Sequence, residues 1–114
     1  MSSGDVSKVS IDYGTSEGYT QEEIEQAANA VLQQFQNSFS DCRLEKLEFS
    51  GDEVSNQKAA QYKHDKGIVF YADFQTGNNS DLGLNRNDNY TGYRFFAIND
   101  GDGWTVDTAG FGYG

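Results

Sequence analysis

Asp73, with Tyr71 two residues before it, is where this chain could do acid–base chemistry. It interrupts an otherwise apolar and aromatic run, Ile68 to Phe74. A carboxyl group held in a dry pocket has a raised pKa and can act as a base near neutral pH, with Tyr71 or Tyr93 as its partner. The plainer alternative is that the strand surfaces there and Asp73 is wet. A second candidate is a ligand-binding platform of Tyr71, Tyr93, Arg94 and Trp104. Rings with a polar handle suit a sugar or a peptide, although in a small sheet they also serve as cross-strand packing pairs.

The other reactive side chains form no constellation. Cys42 is the one cysteine and His64 the one histidine, which excludes zinc sites built from several thiolates and imidazoles. Cys42 sits beside apolar residues and reads as a small core residue. A Cys42–His64 pair has nothing in the sequence to support it. His64 reads as a solvated residue at a helix end, where its cation would suit the dipole. Around Asp100 and Asp102 a calcium loop fails: with Gly103 as its turn glycine, the first ligand position falls on Ile98 and the last on Ala109. No Gly-x-Ser-x-Gly elbow occurs, and the glycines at 110, 112 and 114 precede no helix, so no phosphate loop is formed. No cofactor and no metal are expected. Asn78-Asn79-Ser80 and Asn89-Tyr90-Thr91 fit the glycosylation pattern, which matters only in a eukaryotic secretory setting.

The charge balance narrows the partners. Eighteen acids against eight bases give a net charge of -10. Phosphate backbones and anionic membrane surfaces both call for clustered cations, so neither nucleic acid nor membrane adhesion is expected. No stretch is long and apolar enough for a transmembrane span. At 114 residues the chain is the size of one domain with one core. Eight Phe, seven Tyr and one Trp supply that core in a sequence that is polar on average.

The elements that must position these residues follow from periodicity. Residues 1–18 hold Val9, Ile11 and Tyr13 in alternation and read as a flexible tail or an edge strand; residues 19–114 read as the domain. No signal peptide is visible in 1–18, and Met1-Ser2-Ser3-Gly4 looks like a scar where a leader was removed. Thr20 and Glu23 fit a capping box, and Tyr19 with Ile24 a hydrophobic staple. Ile24, Ala27, Ala28, Val31 and Phe35 then mark one buried stripe, while Glu22, Glu25, Gln26, Asn29 and Gln33 fall on the wet side; the helix fades near 37–40. Residues 42–50 read as a strand in which Leu44 either breaks the strict alternation or belongs to the other register across a bulge. A short helix with a thin apolar face (Val54, Ala59, Tyr62) spans 53–65. Residues 68–76 form a central strand, with Ile68, Phe70, Ala72 and Phe74 on one face and Val69, Tyr71, Asp73 and Gln75 on the other. Residues 77–90, rich in Asn and Asp and pinned by Leu82 and Leu84, form a long loop. Strands at 91–99 and 104–107 flank a hairpin turn at Asn99–Gly103. The fold class is α+β: an amphipathic helix on a curved antiparallel sheet of about four strands, in the order α-β-α-β-β-β.

Three segments carry a resemblance: Tyr19-Thr20-Gln21-Glu22-Glu23-Ile24, Gly67 to Phe74, and Asp102-Gly103-Trp104-Thr105-Val106-Asp107. They resemble small lipoproteins of Gram-positive, often gut-dwelling, bacteria, most of them of unknown function. The resemblance implies export, a lipid anchor at the N-terminus and a compact extracytoplasmic domain, though the leader and its lipid-bearing cysteine are absent here. The helix-then-meander order also resembles cystatin-like and NTF2-like folds, which host many functions. The expected role is non-enzymatic binding of a small molecule or protein, through the concave sheet face or loop 77–90. A small NTF2-like enzyme using Asp73, or a structural cell-surface module, are the alternatives.

Overall fold

A computed structural model describes residues 4–39, 41–78, 87–99, 101 and 103–110. Leu82, Leu84, Asp100, Asp102 and residues 111–114 lie outside them. The chain is α+β, with two helices and one five-stranded sheet among the described residues. Its elements are β1 (Ser10–Asp12), α1 (Gln21–Ser38), β2 (Cys42–Phe49), α2 (Asp52–Gln61), β3 (Gly67–Thr76), β4 (Asn89–Ile98) and β5 (Thr105–Gly110), and the strands lie side by side in chain order.

Two expectations are corrected here. The sheet has five strands, not about four, and it is mixed: β1 pairs parallel to β2, while the other pairings are antiparallel. The element order therefore begins with a strand, and β1–α1–β2 is a parallel crossover unit in which α1 is the connection. A three-residue strand carries little periodic signal, and parallel pairing depends on a partner far along the chain.

α1 begins as its sequence demands. Glu23 N donates to Thr20 Oγ1 at 3.1 Å, and Thr20 N donates to Glu23 Oε1 at 3.0 Å, closing the capping box. Ile24, Ala27, Ala28, Val31 and Phe35 are all buried against the sheet. Phe39, at the C-cap, stacks on Phe35 at 4.8 Å and meets Phe74, Tyr93 and Phe95 at 5.4–5.7 Å. On the sheet, Leu44, Leu47, Phe70, Phe74 and Phe95 complete this dry layer. The register shift between Leu44 and Lys46 is a bulge, which lets both Leu44 and Leu47 face α1.

α2 lies on the opposite face, where Ala59 packs with Val69 and Phe96. Its weak apolar face is supplemented by a polar fastener. Ser55 is fully buried, and its Oγ accepts from Val69 N at 3.0 Å and lies 3.3 Å from Ser50 Oγ. Gly67 opens β3 so close to this layer that a Cβ there would stand 2.5 Å from the Phe96 ring. The side chain it lacks is the room α2 needs.

Three polar ties hold the same end of the molecule. Tyr19 Oη donates to Gly67 O at 2.8 Å and accepts from Gly67 N at 3.3 Å. Lys66 pairs with Glu23, joining the first turn of α1 to the approach to β3. Asp52 accepts from Ser16 Oγ and, at 2.9 Å, from Glu17 N, fixing the segment before α1 to the start of α2. The hydrogen bond from Ser16, then that from Glu17, hold the Asp52 carboxyl below its ordinary range; the Lys66 ammonium, then the Thr20 backbone, do the same for Glu23.

Phe39→Ala is expected to cost about 3–5 kcal/mol in urea unfolding, as a fully buried ring does, and Tyr71→Ala on the open face less than half as much. A carboxyl whose folded pKa is depressed stabilises the fold above its unfolded value and loses that contribution as pH falls through the folded one. The unfolded values here are 3.8 for Asp52 and 4.5 for Glu23. Stability should therefore drop as pH is lowered through this acid range, and the double variant Asp52→Asn/Glu23→Gln should show a shallower drop in urea midpoints over the same range.

Candidate functional site

The strand faces sort the sequence-predicted residues into two groups. Tyr71 and Arg94 oppose each other across β3 and β4 on the face away from α1, with the guanidinium 5.3 Å from the Tyr71 ring centre. Tyr93 is the neighbour of Arg94 in the same strand and so points the other way, into the aromatic layer with Phe39 and Phe74. Burial pushes its phenol pKa up, so the ring stays neutral over a wider pH range. Trp104, just before β5, packs on the α1 side as well. The four side chains expected to make one platform are thus divided by the sheet.

Asp73 lies on the Tyr71 face, opposite Lys46 of β2. Its Oδ1 accepts from Gly92 N at 3.1 Å, where the β3–β4 register shifts. The hydrogen bond ties the bulge. Tyr71 shares its face, but Tyr93 is on the reverse, so the Asp73–Tyr93 pair does not form. The interior under α1 is filled by Phe35, Phe39 and Val31, and Asp73 points away from it.

His64 corrects another expectation. It does follow the end of α2, where its N donates to Ala59 O at 2.9 Å, but it is not solvated: its side chain is 18% exposed, lies against Phe96 at 5.9 Å, and places Nε2 3.5 Å from Asp107 Oδ2 of β5. Cys42 is buried in the α1 layer at the far end of β3, opposite Thr76, so the two do not approach. Among the described residues no group of three His, Cys, Asp or Glu could hold a metal ion, and no helix is long and apolar enough to cross a membrane.

Two concavities among the described residues bear on a ligand. One, of about 400 Å³, lies at the end of β2 and β3 and includes Asp41, Arg43, Gln75 and Asn87, part of the expected loop region 77–90. Its polar groups are largely used within the fold: Gly77 N donates to Asp41 O at 2.6 Å, and Arg43 donates to Gln75 Oε1 at 2.6 Å and pairs with Glu45 at 3.6 Å.

The other is a groove between α1 and the chain entering β5. It comprises two adjoining cavities of about 300 and 170 Å³ that share Ala30, Gln33 and Trp104. α1 lines it with Gln26, Asn29, Gln33, Gln34 and Asn37, at helical spacings of three and four around Ala30. Ala30 is the small residue that leaves the hollow. Gly103, at φ 101°, turns the chain into it in a conformation that favours glycine. Trp104 meets Tyr19 edge-on at 6.4 Å, so the ring is braced by the residue that ties α1 to β3. Its Nε1 is buried and has no acceptor among the described residues. A buried donor without a partner costs about 1–3 kcal/mol, and among the described residues Trp104 Nε1 is the buried side-chain atom left without one.

The amide stripe was missed at the sequence level because amides count as wet. The signal was present: at 26, 29, 33, 34 and 37 every residue is Gln or Asn, in a chain otherwise rich in charge.

Compared with family models, curated proteins and solved structures, the chain matches none.

Trp104→Phe removes the unpartnered donor while keeping a ring, so its loss of area and its relief of the buried N–H oppose each other. Its change in unfolding free energy should stay within about 1 kcal/mol, against a clear loss of about 2–3 kcal/mol for Trp104→Ala. Equal losses for the two would mean that the N–H is already satisfied.

Proposed function

We propose that this chain is a non-enzymatic binding domain that works outside the cytoplasmic membrane, and that the α1–β5 groove takes an uncharged small ligand or partner segment. One observation carries the reading: Trp104 lines a groove of ligand size with a half-buried ring and an indole N–H that lacks an acceptor. A small shift of the ring, or of an amide beside it, would let that donor be satisfied when the groove is filled, so the filled state gains a hydrogen bond that the empty state lacks. The extracytoplasmic placement is supported by the three segments that resemble small lipoproteins of Gram-positive bacteria. The non-enzymatic reading is supported by the filled interior under α1, from which Asp73 faces away, and by the use of Asp73 Oδ1 as the acceptor of Gly92 N at 3.1 Å.

The test is an NMR screen of uncharged, polar fragments on the labelled protein. Shift changes should gather on Trp104, Ala30, Gln33 and Val106, and Ala30→Phe should remove them while leaving the fold intact. Changes gathered instead around Tyr71 and Arg94, or around Asp41 and Asn87, would contradict the assignment of the groove.

A further inference from the structure

We infer that the ligand of the α1–β5 groove is a neutral saccharide, stacked on Trp104 and hydrogen-bonded by the amides of Asn29, Gln33 and Asn37. This rests on the reading of the groove as the binding site and adds the chemical class of what it holds.

Charge is the first constraint on the ligand. Acidic and basic residues make up 23% of the chain and its net charge is -10, yet among the described residues no charged side chain lines either cavity of the groove. An anion would be repelled by the protein as a whole and would find no cation here. A cation would find no carboxylate lining the groove. What remains is a ligand without charge.

The hydrogen bonding on offer narrows the ligand further. Each amide presents both donors and an acceptor on one group. A sugar hydroxyl is likewise donor and acceptor at once, so each amide can exchange two bonds with one or two hydroxyls. Asn29, Gln33 and Asn37 are exposed and make no side-chain hydrogen bond among the described residues, so they give up little on binding. They recur every four residues, which spaces them about 6 Å apart along α1. That is a ladder suited to successive rings of a short chain.

The indole adds a flat apolar surface. A pyranose has one face of C–H groups, and a half-buried, braced Trp ring offers the matching flat apolar surface at low entropic cost. The cavity volumes, about 300 and 170 Å³, suit one or two sugar rings rather than a folded partner. An extended peptide is the competing occupant, since β5 is an edge strand. It would draw its affinity from the free backbone groups of that edge, whereas the polar capacity of the groove is concentrated in the side chains of α1.

The experiment is a titration of the ¹⁵N-labelled protein, followed by its single indole resonance and its Trp fluorescence, with two panels. One holds neutral di- and trisaccharides built on glucose, galactose, mannose, xylose and N-acetylglucosamine. The other holds uncharged hexapeptides rich in Thr, Asn and Gln. At least one saccharide should move the indole signal saturably. The double variant Asn29→Ala/Gln33→Ala should weaken that binding tenfold or more, and Tyr71→Ala on the opposite face should leave it unchanged. If only a peptide moves the indole, the saccharide assignment is overturned while the groove stands as the site. If neither panel moves it, both fall. If a saccharide binds equally well to the Asn29/Gln33 variant, the amide ladder is wrong.

Discussion

One dry sheet face, covered by one helix, is the constraint from which the rest follows. Leu44, Leu47, Phe70, Phe74 and Phe95 present that face, and α1 answers with Ile24, Ala27, Ala28, Val31 and Phe35. Each large side chain buried this way contributes about 1.5–3 kcal/mol. The two alanines are as completely buried as the phenylalanine, so the helix backbone comes close to the strands at its middle, while Phe35 and Phe39 fill the wider end. This packing also sets the rotation of α1. With 3.6 residues per turn, a slip of one residue would turn the helix by about 100°. The amide ladder would then leave the side where Trp104 lies. Core and groove are therefore a single specification written on two sides of one helix.

Polar ties decide where that helix starts. Tyr19, Thr20, Glu23 and Lys66 join the first turn of α1 to the beginning of β3, and Asp52 joins the preceding segment to α2. Surface pairs of this kind are individually weak. Tyr19 links them to the groove, because it also braces Trp104. The fold thus holds the unsatisfied indole donor of Trp104 against a fixed support.

How much of this the sequence disclosed depends on the kind of signal. Strong periodicity was legible: the α1 stripe, its capping box and the two faces of β3 follow from spacing, and the irregular phase of Leu44 left a bulge as one of two readings. Weak or non-local signals were not. The edge strand β1 was one of two readings of Val9, Ile11 and Tyr13, but its parallel pairing with β2 is set far along the chain, and Ser55 looks wet until Val69 N is seen donating to it. The platform of Tyr71, Tyr93, Arg94 and Trp104 grouped side chains by chemistry, although the alternation of a strand already places neighbours Tyr93 and Arg94 on opposite faces. Trp104 was recognised as a ring, but its true neighbours come from α1, some 70 residues earlier. Only the packing of the helix reveals that they meet.

The most direct measurement is the exchange rate and chemical shift of the single indole N–H in the ligand-free protein. A proton that exchanges slowly yet resonates where non-hydrogen-bonded indoles do is the result this account requires: buried, unpartnered and held in reserve for an occupant. A proton that exchanges rapidly with water, or one that already carries the downfield shift of a hydrogen bond, would contradict it and remove Trp104 as the centre of the site.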